Sequence, residues 1–254
     1  MTYTPDKLEL EALLDFPMVQ DGDCIAGQIA SVMRANNLRF LDHDVLCVAQ
    51  KVISKAEKRA VLLSDVTPSD AALRLAKETG KDPALAELIL RESTRIIRQS
   101  DNLIITEHKL GMVMANAGID RSNIKDGYAL LLPEDPDGSA REIHEYIRNN
   151  HGVHVGVIIT DSIGRAWRNG ITGHAIGVAG ITALVDLQQT PDLNDRELLV
   201  TEVAVADEIA AAASLLMGQG AEGKPVVLVR GFSQIDGNAT AAELLRPIER
   251  DLFR

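Results

Sequence analysis

Residues 155–160 (VGVIIT) form a run of apolar and β-branched side chains that reads as a strand, and this strand delivers Asp161 to its end. A strand end holds a carboxylate rigidly. Ser162 follows at once, then Gly164, then Arg165 and Arg168. An adjacent carboxylate and hydroxyl suit a hard cation such as Mg²⁺ or Mn²⁺, which takes oxygen ligands and often a nucleotide phosphate. Arginines beside them can neutralise the anion that such a metal carries. The stretch 153–170 therefore points to metal-assisted chemistry on a phosphate-bearing substrate.

The chain around this strand mixes both element types. Partial alternation over 8–14 and the run 44–49 predict strands, with a helix over 24–36 between them and a break at Asn36 and Asn37. Thr67, Pro68 and Ser69 open a helix that ends near Gly80, and Asp82 with Pro83 starts another running to about Arg98. Short strands are expected at 103–106 and 112–114 around a turn at 109–111. Ser139 and Glu142 have capping-box spacing for a helix ending near Gly152. Alternation over 200–206 predicts a strand, the Ala-rich 207–217 a helix, and 226–230 a last strand. The strict βαβ rhythm of a doubly wound fold is absent. The expected class is α+β, with mixed β-sheets and packed helices in one unit over residues 1–254 that can divide into two subdomains.

Charge limits the partners. A formal net charge of −11 argues against a general nucleic-acid binder, which needs a basic surface. Any anionic ligand must then be met by a local cluster of Lys, Arg or metal. The sequence has no apolar run of membrane-spanning length, and its N-terminus is charged where a signal peptide is apolar, so a cytoplasmic protein is expected. Cys24 and Cys47 form no C-x-x-C pair and are expected as buried, reduced thiols.

Three further segments carry candidate chemistry. In 116–123 (NAGIDRSN), Asp120 and Asn123 can aim a carboxylate and an amide at one ligand, although a surface Asx turn would read the same way. Joined with Asp161, Asp120 supplies a second carboxylate from a different segment. In 217–224 (MGQGAEGK), glycine backbone can turn N–H groups toward a phosphate, yet the order lacks the Ser/Thr and following helix of a Walker A loop. A glycine helix stop explains it equally well. Gln50, Lys51 and Lys55 follow a strand and can grip phosphates or be plain surface. Trp167 and its neighbouring glycines suggest that Arg165 and Arg168 sit on a shaped, partly covered segment. Gly170, Gly173, Gly177 and Gly180 are better explained by close backbone packing than by a nucleotide loop, and His174 by packing. The histidines show no zinc-ligand spacing. Residues alone leave a metal-dependent phosphohydrolase open.

Together these segments resemble the coenzyme F420-0:L-glutamate ligase family, also called F420-0:γ-glutamyl ligase, over nearly the whole chain. The resemblance is carried by KVISKAE (51–57), NAGIDRSN (116–123), LLPEDPDGSA (131–140) and VGVIITDSIGRAWRNG (155–170). TEVAVADEIAAAASLLMGQG (201–220) and VVLVRGF (226–232) extend it, and LLRPIERDLFR (244–254) is similar to the bacterial members, here as a stand-alone ligase domain.

The resemblance implies an α+β fold of two intertwined subdomains, working as a homodimer. It implies addition of L-glutamate to the terminal carboxylate of F420-0 with GTP, Mg²⁺ or Mn²⁺, and stimulation by a monovalent cation such as K⁺. By motif, Asp120, Asp161, Ser162 and Gln219 would be metal ligands. Lys51, Lys55 and Asn123, with Gln50 adjacent, would surround the nucleotide. So would the loop Met217, Gly218, Gln219, Gly220, Ala221, Glu222, Gly223 and Lys224. Asp15, Phe16, Pro17 and Met18 stand where the family has a Gly-Leu-Pro nucleotide contact. Arg165 and Arg168 are the expected contacts to anionic substrate or transferred phosphate, on charge and placement alone. The sequence departs from the family at Asp15-Phe16, Lys58, Ser162 (for threonine) and Asn194-Asp195. These departures keep alive a same-fold ligase with a different acid acceptor, and a non-catalytic nucleotide- or metal-binding module remains the reading from another class.

Overall fold

The computed structural model describes residues 4–232 and 239–252. It begins with β1 (Glu9–Ala12), α1 (Ile25–Ala35), β2 (Val45–Ala49), α2 (Gln50–Ala56) and β3 (Ala60–Leu62). Then come α3 (Asp70–Thr79), α4 (Pro83–Glu92), β4 (Ser93–Ser100), β5 (Leu103–His108), β6 (Val113–Ala115) and β7 (Tyr128–Leu130). The chain continues with α5 (Pro136–His151), β8 (Gly156–Arg165), β9 (Arg168–Ala179), β10 (Val185–Asp186), β11 (Glu202–Val203), α6 (Val205–Met217) and β12 (Val226–Arg230). The fold is α+β, and no helix among the described residues is long and apolar enough to cross a membrane.

Five strands form the main sheet in the order β1-β12-β2-β8-β9. Only β2 and β8 run parallel; the other pairs are antiparallel. Both faces are covered, which explains why the central strands read as near-continuous apolar runs. Leu46, Val48, Val157, Ile159 and Leu228 pack with α1 and α5 residues such as Ile29, Met33, Ile143 and Ile147. Val45, Cys47, Ile158, Val227 and Val229 pack with Val205, Ile209 and Ala213 of α6 on the other face. Each fully buried Ile or Leu here contributes about 1.5–3 kcal/mol of transfer free energy. A smaller assembly, β4-β5-β6 with α3, α4 and the β3-β7 pair, has its own apolar clusters around Leu75 and Ile89 and around Leu88 and Leu131.

Several local expectations hold. Ser69 accepts the Ala72 N–H at the start of α3, Gly80 ends it at φ 69°, and Asp82 caps α4 with Pro83 in the first turn. Others are corrected. The second helix of that pair stops at Glu92 instead of Arg98, because residues 93–100 pair with β5 as a strand. Helix α5 is capped by Asp135, which accepts the Gly138 N–H, and not by Ser139, since Pro136 suits the first helical position. The Ser139 hydroxyl instead donates to Glu57 Oε1 at 2.5 Å. Alternation over 200–206 yields only the two residues of β11 before α6 begins at Val205. Cys47 is buried, and burial pushes its thiol up to about 12, whereas Cys24 is exposed. Of the terminal motif, residues 253–254 lie outside the described residues.

A buried charge network joins the two assemblies. The Arg59 guanidinium reaches Glu92 at 2.6 Å, Glu134 at 2.8 Å and the Leu132 carbonyl at 2.8 Å. His108 lies beside it, its Nδ1 accepting the Leu110 N–H at 3.0 Å and its Nε2 4.0 Å from Glu92. Burial pushes the imidazole down to about 4 despite the Glu92 carboxylate. A histidine depressed in the folded state takes its proton more readily when unfolded, so it costs stability as pH falls from about 6.5 toward about 4. Over that window the loss is about 3 kcal/mol. We expect His108→Asn to remove this slope, read as the difference in urea midpoint between pH 7 and pH 4.5. An unchanged slope would show that His108 does not set it.

Candidate active site

Parallel strands leave a crevice beyond their carboxyl ends, where ligands of open α/β sheets are held. Here the parallel pairing ends with Ala49 opposite Thr160, where β2 stops and β8 runs on to Arg165. Gln50 and Lys51 continue from one strand, and Asp161 and Ser162 from the other. A cavity of about 1060 Å³ opens at this point. That is at the upper end of the roughly 300–1,000 Å³ usual for small-molecule sites. Its walls come from Phe16, Pro17 and Met18, from Lys51 and Lys55, from Asn123, Lys125 and Tyr128, and from the whole loop between Met217 and Lys224.

Residues distant in sequence meet because β3 pairs with β7, Ala60 opposite Leu130, which folds the segment from Asp120 back onto α2. Lys51 Nζ lies 2.6 Å from Asp120 Oδ2 and 2.7 Å from Ser122 Oγ, and the Ser122 N–H donates to Asp120 Oδ1 at 2.6 Å. Lys55 donates to the Asn123 carbonyl at 2.8 Å. Asn123 Nδ2 in turn donates to the Gly220 carbonyl at 3.1 Å, tying this segment to the glycine loop. In that loop the Gly220 N–H donates to Glu222 at 2.8 Å. Gly218 has φ 72° with ψ −179°, a backbone conformation that favours glycine. Ser162 Oγ donates to Gln219 Oε1 at 2.8 Å.

The two carboxylates are pushed in opposite directions. Burial raises Asp120, but the Lys51 ammonium and the Ser122 N–H outweigh it and hold the group below its ordinary value. Burial also raises Asp161, and the charge of Asp120 adds to that, leaving it above its ordinary value despite the Ser162 N–H, the Lys51 ammonium and the Gln50 carboxamide that faces it. Lys55 is lowered by burial and by Lys51. A divalent cation fits such a pair, since it would relieve the repulsion between the carboxylates. No third carboxylate, histidine or thiolate joins them among the described residues. The hydroxyl of Ser162 and the carboxamide of Gln219, bonded to each other in the same cavity, would complete an all-oxygen set suited to Mg²⁺ or Mn²⁺.

The cavity thus gathers Phe16, Pro17, Met18, Gln50, Lys51, Lys55, Asn123, Asp161, Ser162 and the 217–224 loop, with Asp120 joined through Lys51. Asp15, at φ 56°, is not among its lining residues. Arg165 and Arg168 lie apart from it, at the tip of the β8–β9 hairpin. Trp167 there is 87% exposed, which corrects the expectation of a covered segment. Asp161 is not at a strand end either, because β8 continues to Arg165 as one arm of that hairpin. Gly170, Gly173 and Gly177 lie on β9, and Gly180 just past its end. Close packing holds for Gly173 against Ala210, Gly177 against Pro136 and Gly180 against His144, while Gly170 faces open space at φ 87°. Thr160, Lys125 and Tyr128 were not legible as site residues. Thr160 reads as the last residue of an apolar strand, and the other two lie in a segment without pattern.

Residues 14–231 match the family model for F420-0:gamma-glutamyl ligase. The coenzyme F420:L-glutamate ligase of Methanothermobacter thermautotrophicus is 46% identical over 240 residues, covering 94% of this chain and 95% of its own. That of Methanococcus maripaludis (strain C7) is 45% identical over 250 residues, covering 98% and 99%. The Archaeoglobus fulgidus ligase is 42% identical over 248 residues, covering 98% and 97%. The chain belongs to the F420-0:gamma-glutamyl ligase family.

Proposed function

We propose that this protein joins L-glutamate to the terminal carboxylate of F420-0 by an amide bond, using GTP, and can extend the product through γ-glutamyl links. One observation carries the reading: a single cavity brings Lys51, Lys55, Asp161, the Ser162–Gln219 pair and the glycine loop together, with Asp120 held beside it by Lys51 and room for a nucleotide and a second substrate. No nucleophilic side chain with an adjacent general base stands among them, so the chemistry is positioning and charge neutralisation.

A carboxylate does not react with an amine until one of its oxygens becomes a leaving group. The carboxylate oxygen of F420-0 attacks the γ-phosphorus of GTP, the bond to the β-phosphate oxygen breaks, and GDP leaves. The glutamate amine then attacks the acyl carbon and inorganic phosphate departs. Lys51 and Lys55 stand where they can hold the phosphates, and the N–H groups of the 217–224 loop can cradle them. Asp120, Asp161, Ser162 and Gln219 would hold Mg²⁺ or Mn²⁺, which would neutralise charge on the transferred group. The exposed hairpin with Arg165, Trp167 and Arg168 is the surface on which we place a homodimer contact.

Incubation of the purified protein with F420-0, L-glutamate, GTP and Mn²⁺ should give a mass gain of one or more glutamyl units with matching GDP, from a species of twice 27.5 kDa by light scattering. An unchanged precursor with bound GTP would overturn the acceptor. GDP release with no dependence on the acid acceptor would overturn the ligase, and a monomer that turns over fully would overturn the dimer.

A further inference from the structure

Two of the side chains lining the cavity are polar and buried, Gln50 at 1% and Thr160 at 4% exposure. The Gln50 carboxamide faces Asp161, whereas Thr160 Oγ1 has no hydrogen-bond partner among the described residues. A buried hydroxyl left unpaired costs about 1–3 kcal/mol, so it persists where something else pays for it, and a ligand is one such thing. Neighbouring polar groups are already committed. Ser162 donates to Gln219, Ser54 donates to Gln50 Oε1 at 2.8 Å, and Lys51 and Lys55 are engaged on the 120–123 segment.

We propose that the Thr160 hydroxyl donates to an anionic oxygen of the phosphoryl group being transferred. This rests on the ligase reading above. Thr160 occupies the junction of β2 and β8, the one place where the lysine-bearing and carboxylate-bearing segments start from paired strands. Asp161, its neighbour, offers acceptors, so the Thr160 hydroxyl adds a buried donor of the kind that a phosphoryl oxygen needs. The hydroxyl gives up no proton; it holds the oxygen in line while the bond to the β-phosphate oxygen breaks.

Thr160→Val keeps the shape and removes the hydroxyl. A hydrogen bond to a charged group is worth about 1.5–3 kcal/mol, so kcat and kcat/KM should both fall about 30-fold. Thr160→Ser should recover activity to within about threefold of the natural enzyme. The nucleotide-free Tm of Thr160→Val should be equal to or above that of the natural protein, while its rise with GTP and Mn²⁺ should be smaller. Retention of kcat in Thr160→Val, or equal damage in Thr160→Ser, would overturn the assignment and leave the ligase reading intact. If the natural protein shows no glutamate-dependent turnover, the ligase reading falls and the nucleotide-induced Tm rise decides. A rise lost in Thr160→Val supports a phosphate contact, and a rise unchanged overturns it. Neither turnover nor rise in the natural protein overturns both.

Discussion

Replacing Asp161 with asparagine should cost at least about 10²-fold in turnover while leaving the protein folded and more stable at neutral pH. The activity estimate follows from position. Groups that merely orient a metal ligand are worth about 10–100-fold, so a carboxylate that would hold the ion directly, as we propose for Asp161, should be worth more. The stability estimate follows from the environment. Asp161 is raised by burial first and by the nearby Asp120 second. A carboxyl raised in the folded state holds its proton after the unfolded chain has lost it, so stability falls as pH climbs from the ordinary value of 3.8 through the raised one. At pH 7 the whole penalty is present, and asparagine removes it. Below the unfolded value both forms are neutral and the advantage disappears. His108 titrates in part of this range in both proteins and cancels from the difference. Urea midpoints at pH 7 and pH 3.5, with turnover at pH 7, check the pair of effects. A variant less stable at pH 7 would overturn the electrostatic account, and turnover within about threefold would remove Asp161 from the machinery.

Much of the main sheet was legible because its strands are buried on both faces and its helices carry explicit stops. Ser69, Gly80, Asp82 and Pro83 fix helix ends locally, and β2, β8 and β12 are apolar runs too short for helices. What escaped depends on partners far along the chain. Residues 93–98 have a helix-compatible composition and become a strand only because β5 lies beside them. The sequence DSIGR after Thr160 looks like a loop, yet it alternates half-buried and exposed as a hairpin arm against β9. The site shows the same division. Its members could be named from their motifs, but the meeting of Lys51 with Asp120 follows from the β3–β7 pairing, which nothing in either motif announces. Thr160 was hidden for a different reason: a β-branched residue at the end of a strand serves packing and binding equally well.

The second large effect is mechanical. Gly173→Ala should lower Tm by about 3–10 °C and reduce turnover at least about tenfold, from a position that does not line the cavity. Gly173 pairs with Ser162 across the β8–β9 hairpin, and α6 lies directly over it. A Cβ at this position would meet the Ala210 carbonyl oxygen at 2.4 Å and its carbon at 2.9 Å. These are helix backbone atoms, which no rotamer change can move aside, so α6 as a whole must lift from the sheet. Overpacking of this kind costs about 1–3 kcal/mol. The functional loss follows from what α6 carries. The helix ends at Met217 and leads directly into Gln219, whose carboxamide accepts the Ser162 hydroxyl, and into Gly220, whose carbonyl accepts from Asn123. Lifting the helix stretches both contacts and opens the 217–224 loop that lines the cavity, and a misplacement near 1 Å can cost about 10²-fold. Gly164→Ala is the control. Gly164 lies on β8 of the same hairpin, and its added Cβ would meet nothing within 4 Å, so stability and turnover should barely change. Thermal melts and glutamate-dependent GDP release on the two variants decide the matter. Equal behaviour of Gly173→Ala and Gly164→Ala would show that α6 can shift on the sheet without disturbing the loop.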